Sequence, residues 1–406
     1  MGLCRFLPTP SDRMGLLWTL LTIKESVILE YGPAGTTHYS MGFLGKLGID
    51  YNEQIFSTHM SEDDVIMGDV SRLENSLVEL DENFSPKVIF VVASSTSEVI
   101  GTDIKGVCRY MQPDINAKII PCDVGGFRGD YSIGVSFGYN AIVKNLVKEA
   151  EKTNTFNIIG LSVGNFRAFS DKNEIVRLMK ETYGLELSTT LCAETTVTQI
   201  ENMSQAKVNL VVGVEGLAAA KHMEKKFGVP YVYGVPYGYE GTKQWLMQVS
   251  EAIDSQPNPA VMGEIGKKIM GASHYKMYGM MLKKTLKVAV IGDYDRVVGL
   301  SQAMENLGAQ VETKICLHTL RGIENPAEDI LYFKEETDRI AAIEQLNDTF
   351  VLCDEVSAML LNDTNTSMCV NSPMVFKSQV ATHLPIVGVH GIDMIRESYD
   401  EYLRHL

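Results

Sequence analysis

Residues Val27–Met41, VILEYGPAGTTHYSM, decide how the rest of the chain is read. VILEY has the character of a buried strand end, and GPAGTTHYS is a Gly/Pro-rich turn that opens onto the helical pattern MGFLGKLG. Strand, glycine-rich turn and helix in that order form the unit of an open α/β sheet. Ligands of such sheets sit at the carboxyl ends of the strands. The turn after Tyr31 is therefore a candidate site on local grounds.

The same unit recurs on both sides. Upstream, the turn LPTPSDR leads into the apolar run MGLLWTLLTI, with Arg5 and Arg13 ahead of most of it in superficial imitation of a secretory signal. No small-residue cleavage site follows, Lys24-Glu25 arrives instead, and the run is too short to span a bilayer. It predicts a helix packed on the body of the protein, with Ser11 or Asp12 as its N-cap. Downstream, Gln54 to Ser57 is strand-like, and SEDDVIMGDVSRLENSLVEL places Val65, Ile66, Val70, Leu73, Leu77 and Leu80 at helical spacing. KVIFVVASSTSEVIGTDI is again strand, polar turn and helix start. Ala117 to Asp123 gives a further strand with the loop GGFRGDYSIG behind it, and 140–152 a helix.

A second series begins with FNIIGLSVGN and continues through VNLVVGVEGLAAAKHMEKKFGVPYV to a long helical stretch from about Thr242 to Met281. LKVAVIGDYDRVVGLSQAMENLGAQV opens a third series, which FVLCDEVSAMLL and PIVGVHGID close. Strands apolar on both faces belong to parallel sheets covered on both sides by helices. The pattern predicts an α/β fold with three Rossmann-like domains, over 1–150, 151–283 and 284–406.

Composition agrees with several domains: 406 residues exceed one ordinary core, and a hydrophobic fraction of 45% supplies enough apolar side chains for more. A formal charge of -15 without a clustered basic face argues against a nucleic-acid surface. Seven cysteines, scattered and without a CxxC pair, fit a reducing cytoplasm better than a disulfide framework. The 20 methionines are spread through helical patterns, as adaptable core filling would be.

Familiar nucleotide signatures are missing from the turns. GPAGTTHYS lacks the lysine of GxxxxGK[ST], and neither VIGDYDRVVG nor IIGLSVGN supplies GxGxxG, which disfavours ATP or NAD binding by this chain. Gly160 to Gly164 does match GxSxG around Ser162, with His390 downstream in the order of a hydrolase triad. A Gly/Ser turn after a parallel strand explains that match as well.

Taken in order, Cys4 before a Pro-containing turn, YGPAGTTHYS, FVVASSTSEVIGTDIKGV and CDVGGFRGDYSIGVSFGYNAIV resemble the nitrogenase component 1 type oxidoreductases. AKVNLVVGVEGLAAAKHMEKKFGVPYV and KVAVIGDYDRVVGL are similar to that family's second and third domains, and GFRG leans toward its alpha-type branch. The resemblance implies three Rossmann-like domains, a companion subunit or a homodimer, and electrons from a separate ATP-driven iron–sulfur reductase. It also implies cluster ligands at three turns. Cys4 keeps the first, whereas Thr36 and Ser95 stand at the second and third, and Thr102 replaces the first acid of an Asp pair, leaving Asp103.

A thiolate is a soft anionic ligand, while a Ser or Thr hydroxyl must first lose a proton far above neutral pH, so two of three ligands are effectively missing. An iron–sulfur cluster is thus expected to be shared with a partner or absent. Where the molybdenum enzymes carry a cofactor-binding cysteine this chain has Gly213, and His383 matches their histidine ligand only loosely, with His390 beside it. Cys108 and Cys122 read as core residues, His38 and His59 as loop residues, and Glu98 and Asp103 as caps of their turn. The expected function is a nitrogenase-like reductase subunit acting on an enclosed substrate such as a tetrapyrrole or metal cluster. The alternative is a scaffold or cofactor-assembly protein that has lost its cluster.

Overall fold

Three sheets of four or five strands, beside a two-stranded pairing of Ile23–Lys24 with Thr195–Thr196, carry the molecule, which a computed structural model describes over residues 8–37, 54–281, 287–320, 322–372 and 383–404. Cys4, His38 and the MGFLGKLG pattern lie outside the described residues. The first sheet holds β1 (Ser26–Tyr31), β2 (Ile55–Ser57), β3 (Val88–Ala93) and β4 (Lys118–Cys122) in the order β2-β1-β3-β4. The second holds β5 (Thr155–Ile159), β6 (Glu186–Thr190), β7 (Val208–Val211) and β8 (Tyr231–Tyr233) in the order β8-β7-β5-β6. The third holds β9 (Lys287–Gly292), β10 (Gln310–Cys316), β11 (Leu331–Tyr332), β12 (Phe350–Cys353) and β13 (Thr366–Cys369) in the order β11-β10-β9-β12-β13. Every pairing within these sheets is parallel.

In each sheet the first strand in sequence lies inside, and the chain leaves it in one direction and returns to the other side. That reversal opens a crevice at the carboxyl ends: between β1 and β3, between β5 and β7, and between β9 and β12.

The helices follow from the apolar stripes. On α3 (Ser71–Phe84), Leu73, Leu77 and Leu80 recur at helical spacing and are buried. They meet Leu29, Tyr31, Ile89 and Val91 of the first sheet and Ile104, Cys108 and Met111 of α5 (Ile104–Met111). Each buried leucine contributes roughly 1.5–3 kcal/mol. The alternate residues Ile28, Val88, Phe90 and Val92 face the other way, toward α1 (Asp12–Leu20) and α6 (Tyr131–Leu146). All nine residues of α1 are buried, and after Asp12 and Arg13 the sequence is apolar apart from Gly15 and Thr19.

Its packing also sets the composition of its partner. A Cβ on Gly15 would lie 2.0 Å from the Tyr131 carbonyl oxygen, and one on Gly134 would lie 1.7 Å from that of Asp12, so the two backbones nearly touch. The second and third sheets share one continuous core, which also takes in Ile392, Ile395 and Tyr399 of the C-terminal helix α12 (Gly388–Arg404).

Local signals fail at a few places. The helical pattern from Ser61 to Leu80 is split into α2 (Glu62–Met67) and α3, because Gly68 closes α2 in a left-handed conformation at φ 66°. Ile66, expected on the buried stripe, is 76% exposed. The stretch from Thr242 to Met281 is likewise two helices, α9 (Gly238–Ile253) and α10 (Pro259–Met281), separated by Asp254 at φ 48° and a Pro-flanked link. The helix expected over 140–152 begins at Tyr131, since Asp130 caps it through the Ser132 amide. Ser11 occupies the N-cap position of α1 but makes no capping bond, and instead the 8–12 segment bridges to Asp130. PIVGVHGID adds no strand, for Gly388 already opens α12.

Candidate functional site

The crevice of the first sheet gathers the turns that follow β1, β3 and β4. Tyr31 and Ala93 are register partners, so the turns beginning at Gly32 and Ser94 start side by side. A Cβ on Gly32 would lie 2.3 Å from Ser94 Cβ, so only glycine allows this approach. Ser94 and Ser97 form a reciprocal capping box at α4 (Ser95–Val99), which leaves Ser95 half-buried as the first helical residue. Glu98 then reaches the third turn, where its carboxylate accepts the Gly125 N–H at 2.7 Å and meets Arg128 Nε at 3.4 Å. Asp103 caps α5 by accepting the Gly106 N–H at 2.9 Å. Both acids therefore hold their turns in place.

Thr36 sits in the turn after β1. Its single hydroxyl proton is shared between Glu30 Oε1 at 2.7 Å and the Pro33 carbonyl at 2.8 Å. Glu30 is fully buried at the end of β1, and its Oε2 pairs with Arg13 Nη2 of α1 at 2.5 Å. Glu30 and Arg13 are site residues that sequence reading missed. The available signal was a glutamate inside the otherwise apolar strand SVILEY. A hydroxyl donated to a carboxylate is opposite in polarity to a thiolate offered to iron, so Thr36 does not fit a thiolate-held cluster. Among the described residues no group of three or more His, Cys, Asp and Glu is arranged to hold a metal ion. Cys108 and Cys122 are buried in separate cores, and burial pushes the Cys108 thiol up to about 12.

A second feature lies where the crevices of the second and third sheets meet. The loops after β5, β7 and β9 enclose a cavity of about 50 Å³, room for a few waters. Trp18, Tyr131, Gly160, Gly213 and Tyr237 line it together with Asp171, Glu215, Asp293 and Asp295. Most of these acids are committed. Asp295, at the start of α11 (Tyr294–Asn306), accepts the Tyr233 hydroxyl at 2.6 Å and the Val214 N–H at 2.8 Å. Asp293 accepts from the Tyr131 hydroxyl. Asp171 accepts the Ile386 N–H at 2.7 Å and lies 3.9 Å from Arg296, whose guanidinium also donates to the Val370 and Phe166 carbonyls.

Glu215 is the exception in its company. It lies 3.9 Å from His318 Nε2, but that nitrogen already accepts the Tyr294 N–H at 3.0 Å. Burial pushes the Glu215 carboxyl up to about 7. At Gly213 a Cβ would stand 2.8 Å from the Gly160 carbonyl oxygen and 3.1 Å from Glu215 Oε2, so the position at which the resemblance expects a cysteine is crowded by backbone and glutamate.

The remaining candidates are not brought together. The Ser162 hydroxyl donates to Asn165, while His390 pairs with Glu174 at 2.9 Å, so no Ser–His pair forms. His59 and His383 are exposed. No helix among the described residues is long and apolar enough to cross a membrane.

Comparison with known proteins gives one consistent answer. The family model of the nitrogenase component 1 type oxidoreductases matches residues 11–397. The nitrogenase iron-molybdenum cofactor biosynthesis protein NifE of Clostridium pasteurianum is 28% identical over 296 residues, 71% of this chain and 64% of that protein. The nitrogenase molybdenum-iron protein alpha chain of the same organism is 27% identical over 241 residues, 57% of this chain and 45% of that one. This chain thus spans about half to two thirds of the length of these relatives. A solved structure of nitrogenase Cp1 at pH 6.5 matches 100% of this chain and 94% of its own with a TM-score of 0.78, at 16% identity, a likeness of fold. With the family model matching nearly its whole length, the chain belongs to the nitrogenase component 1 type oxidoreductase family.

Proposed function

We propose that this chain is the cluster-free member of a nitrogenase-like assembly and serves it as a scaffold or cofactor-assembly subunit in the cytoplasm. The observation that carries this reading is the commitment of Thr36 to Glu30 and Pro33 at a corner where electron relay would require a thiolate. The likeness to cofactor biosynthesis proteins supports it. A companion chain of the same family, or a second copy, covers the carboxyl edge of the first sheet. Ile66 and Met67 after β2, Val99 after β3 and Phe127 after β4 are 76%, 79%, 72% and 65% exposed there, an apolar display that a lone chain has no use for. An ATP-driven iron–sulfur reductase would then act on the assembly through the companion.

The likeness to a molybdenum-iron protein alpha chain favours a second reading, a reductase subunit that passes low-potential electrons to an enclosed tetrapyrrole or metal cluster. Anaerobic coexpression with the neighbouring genes separates the two. The scaffold reading expects a copurifying companion and far less iron and acid-labile sulfide than one cluster per copy of this chain. A full cluster assigned to this chain, removed by Cys4→Ala, would overturn it in favour of the reductase.

A further inference from the structure

We infer that Arg13, Glu30 and Thr36 form a metal-free staple that does the cross-linking a cluster does where thiolates stand. The inference rests on the reading that Thr36 holds no metal. One carboxylate joins a strand, a helix and a turn: Glu30 of β1, Arg13 of α1 at 2.5 Å, and Thr36 of the turn at 2.7 Å. Arg13 Nη2 also reaches the Thr36 carbonyl at 3.4 Å, which closes the triangle on itself. The turn folds directly over the carboxylate, since a Cβ on Gly32 would stand 3.5 Å from Glu30 Oε1.

The side chains of both ions are withdrawn from water, 10% exposed for Arg13 and 0% for Glu30. A buried carboxylate in an apolar strand is unfavourable alone and tolerable only with its charge and lone pairs met. Arg13 meets the charge at Oε2 by ion pairing without a hydrogen bond to that oxygen, and Thr36 meets a lone pair of Oε1. Thr36 therefore stands where a ligand would because Glu30 needs a donor there, and cysteine, a weak donor, would serve it poorly.

Thermal unfolding of the full chain, prepared anaerobically with whatever partner copurifies, tests this. An iron chelator should leave the midpoint unchanged. Glu30→Gln and Arg13→Met should each lower it by several degrees, Thr36→Val by less, and the double Arg13→Met/Glu30→Gln by less than the sum of its parts. A wild-type midpoint that falls on chelation as far as it does in Glu30→Gln would overturn the inference, as would single losses that simply add. The chelation arm decides even where a variant fails to fold, since a wild-type midpoint lowered by several degrees on chelation overturns the inference by itself. Absence of a companion chain would instead sink the proposed function and leave this result standing.

Discussion

Glu215, its side chain 15% exposed, and the buried Asp81 show how differently two carboxylates largely withdrawn from water act. Burial pushes Glu215 from an ordinary 4.5 up to about 7, so the folded chain binds its proton more tightly than the unfolded chain does. Stability should therefore fall as pH rises from about 4.5 to about 7 and level off above. The full contribution is about 3 kcal/mol. Glu215→Gln should flatten that slope in a series of urea midpoints taken across the interval. Asp171, raised by burial to about 6, adds a smaller slope of the same sign at lower pH.

Asp81 is the opposite case. Burial acts to raise it, but the N–H groups of Asn116 and Ala117 and the Asn116 amide, at 2.9–3.0 Å, hold it below the ordinary carboxylate value. Its contribution is present above pH 4 and is lost as the group protonates below that. Asp81→Ala leaves two backbone donors without their acceptor and should cost about 3 kcal/mol, read as a lower urea midpoint at pH 7.

At the scale of elements, the crossing of α1 and α6 is the least forgiving. Gly15, Gly134 and Gly138 let the two helices approach until a Cβ at any of them would overlap the other by more than an ångström. Gly134→Ala should destabilise by roughly 1–3 kcal/mol, more if the helices separate, whereas Gly263→Ala on α10, with open space around it, should be neutral or stabilising. Thermal midpoints of the two variants compare them directly. The seam also explains why α1 imitates a secretory signal: a helix buried on every side needs the same unbroken apolar run. Its helix type was legible in the sequence, but the glycines that receive it lie more than a hundred residues downstream.

Across the whole molecule, the carboxyl edge of the first sheet offers its apolar residues from three different connections: the ends of α2 and α4 and the loop after β4. Phe127→Asp together with Val99→Asp should abolish copurification of a companion while leaving the monomer's thermal midpoint within a degree or so, because both side chains are solvent-facing and surface changes are usually near neutral. Contacts among the bodies are of another kind. Asp130 accepts the Thr319 N–H at 2.7 Å and Tyr131 donates to Asp293, so the start of α6 is tied to the third sheet. Asp130→Ala should loosen that tie and the cap of α6 together, raising amide exchange at Thr319 and along the first turn of α6.

The sequence by itself determined the three series of strand and helix, the parallel character of the sheets and the family. Those follow from local apolar periodicity and from turns whose glycines must sit next to strand ends, and both are written in consecutive residues. It also marked Thr36 and Ser95 as the positions at which the family resemblance expects cluster ligands. Only the tertiary structure decided what stands there instead. Glu30 is paired by an arginine seventeen positions earlier, and the cavity of the second and third sheets is closed by Glu215 over Gly213. Charge compensation and close packing are properties of neighbours in space, and the chain brings those neighbours together only when α1 has crossed α6 and the three crevices have met.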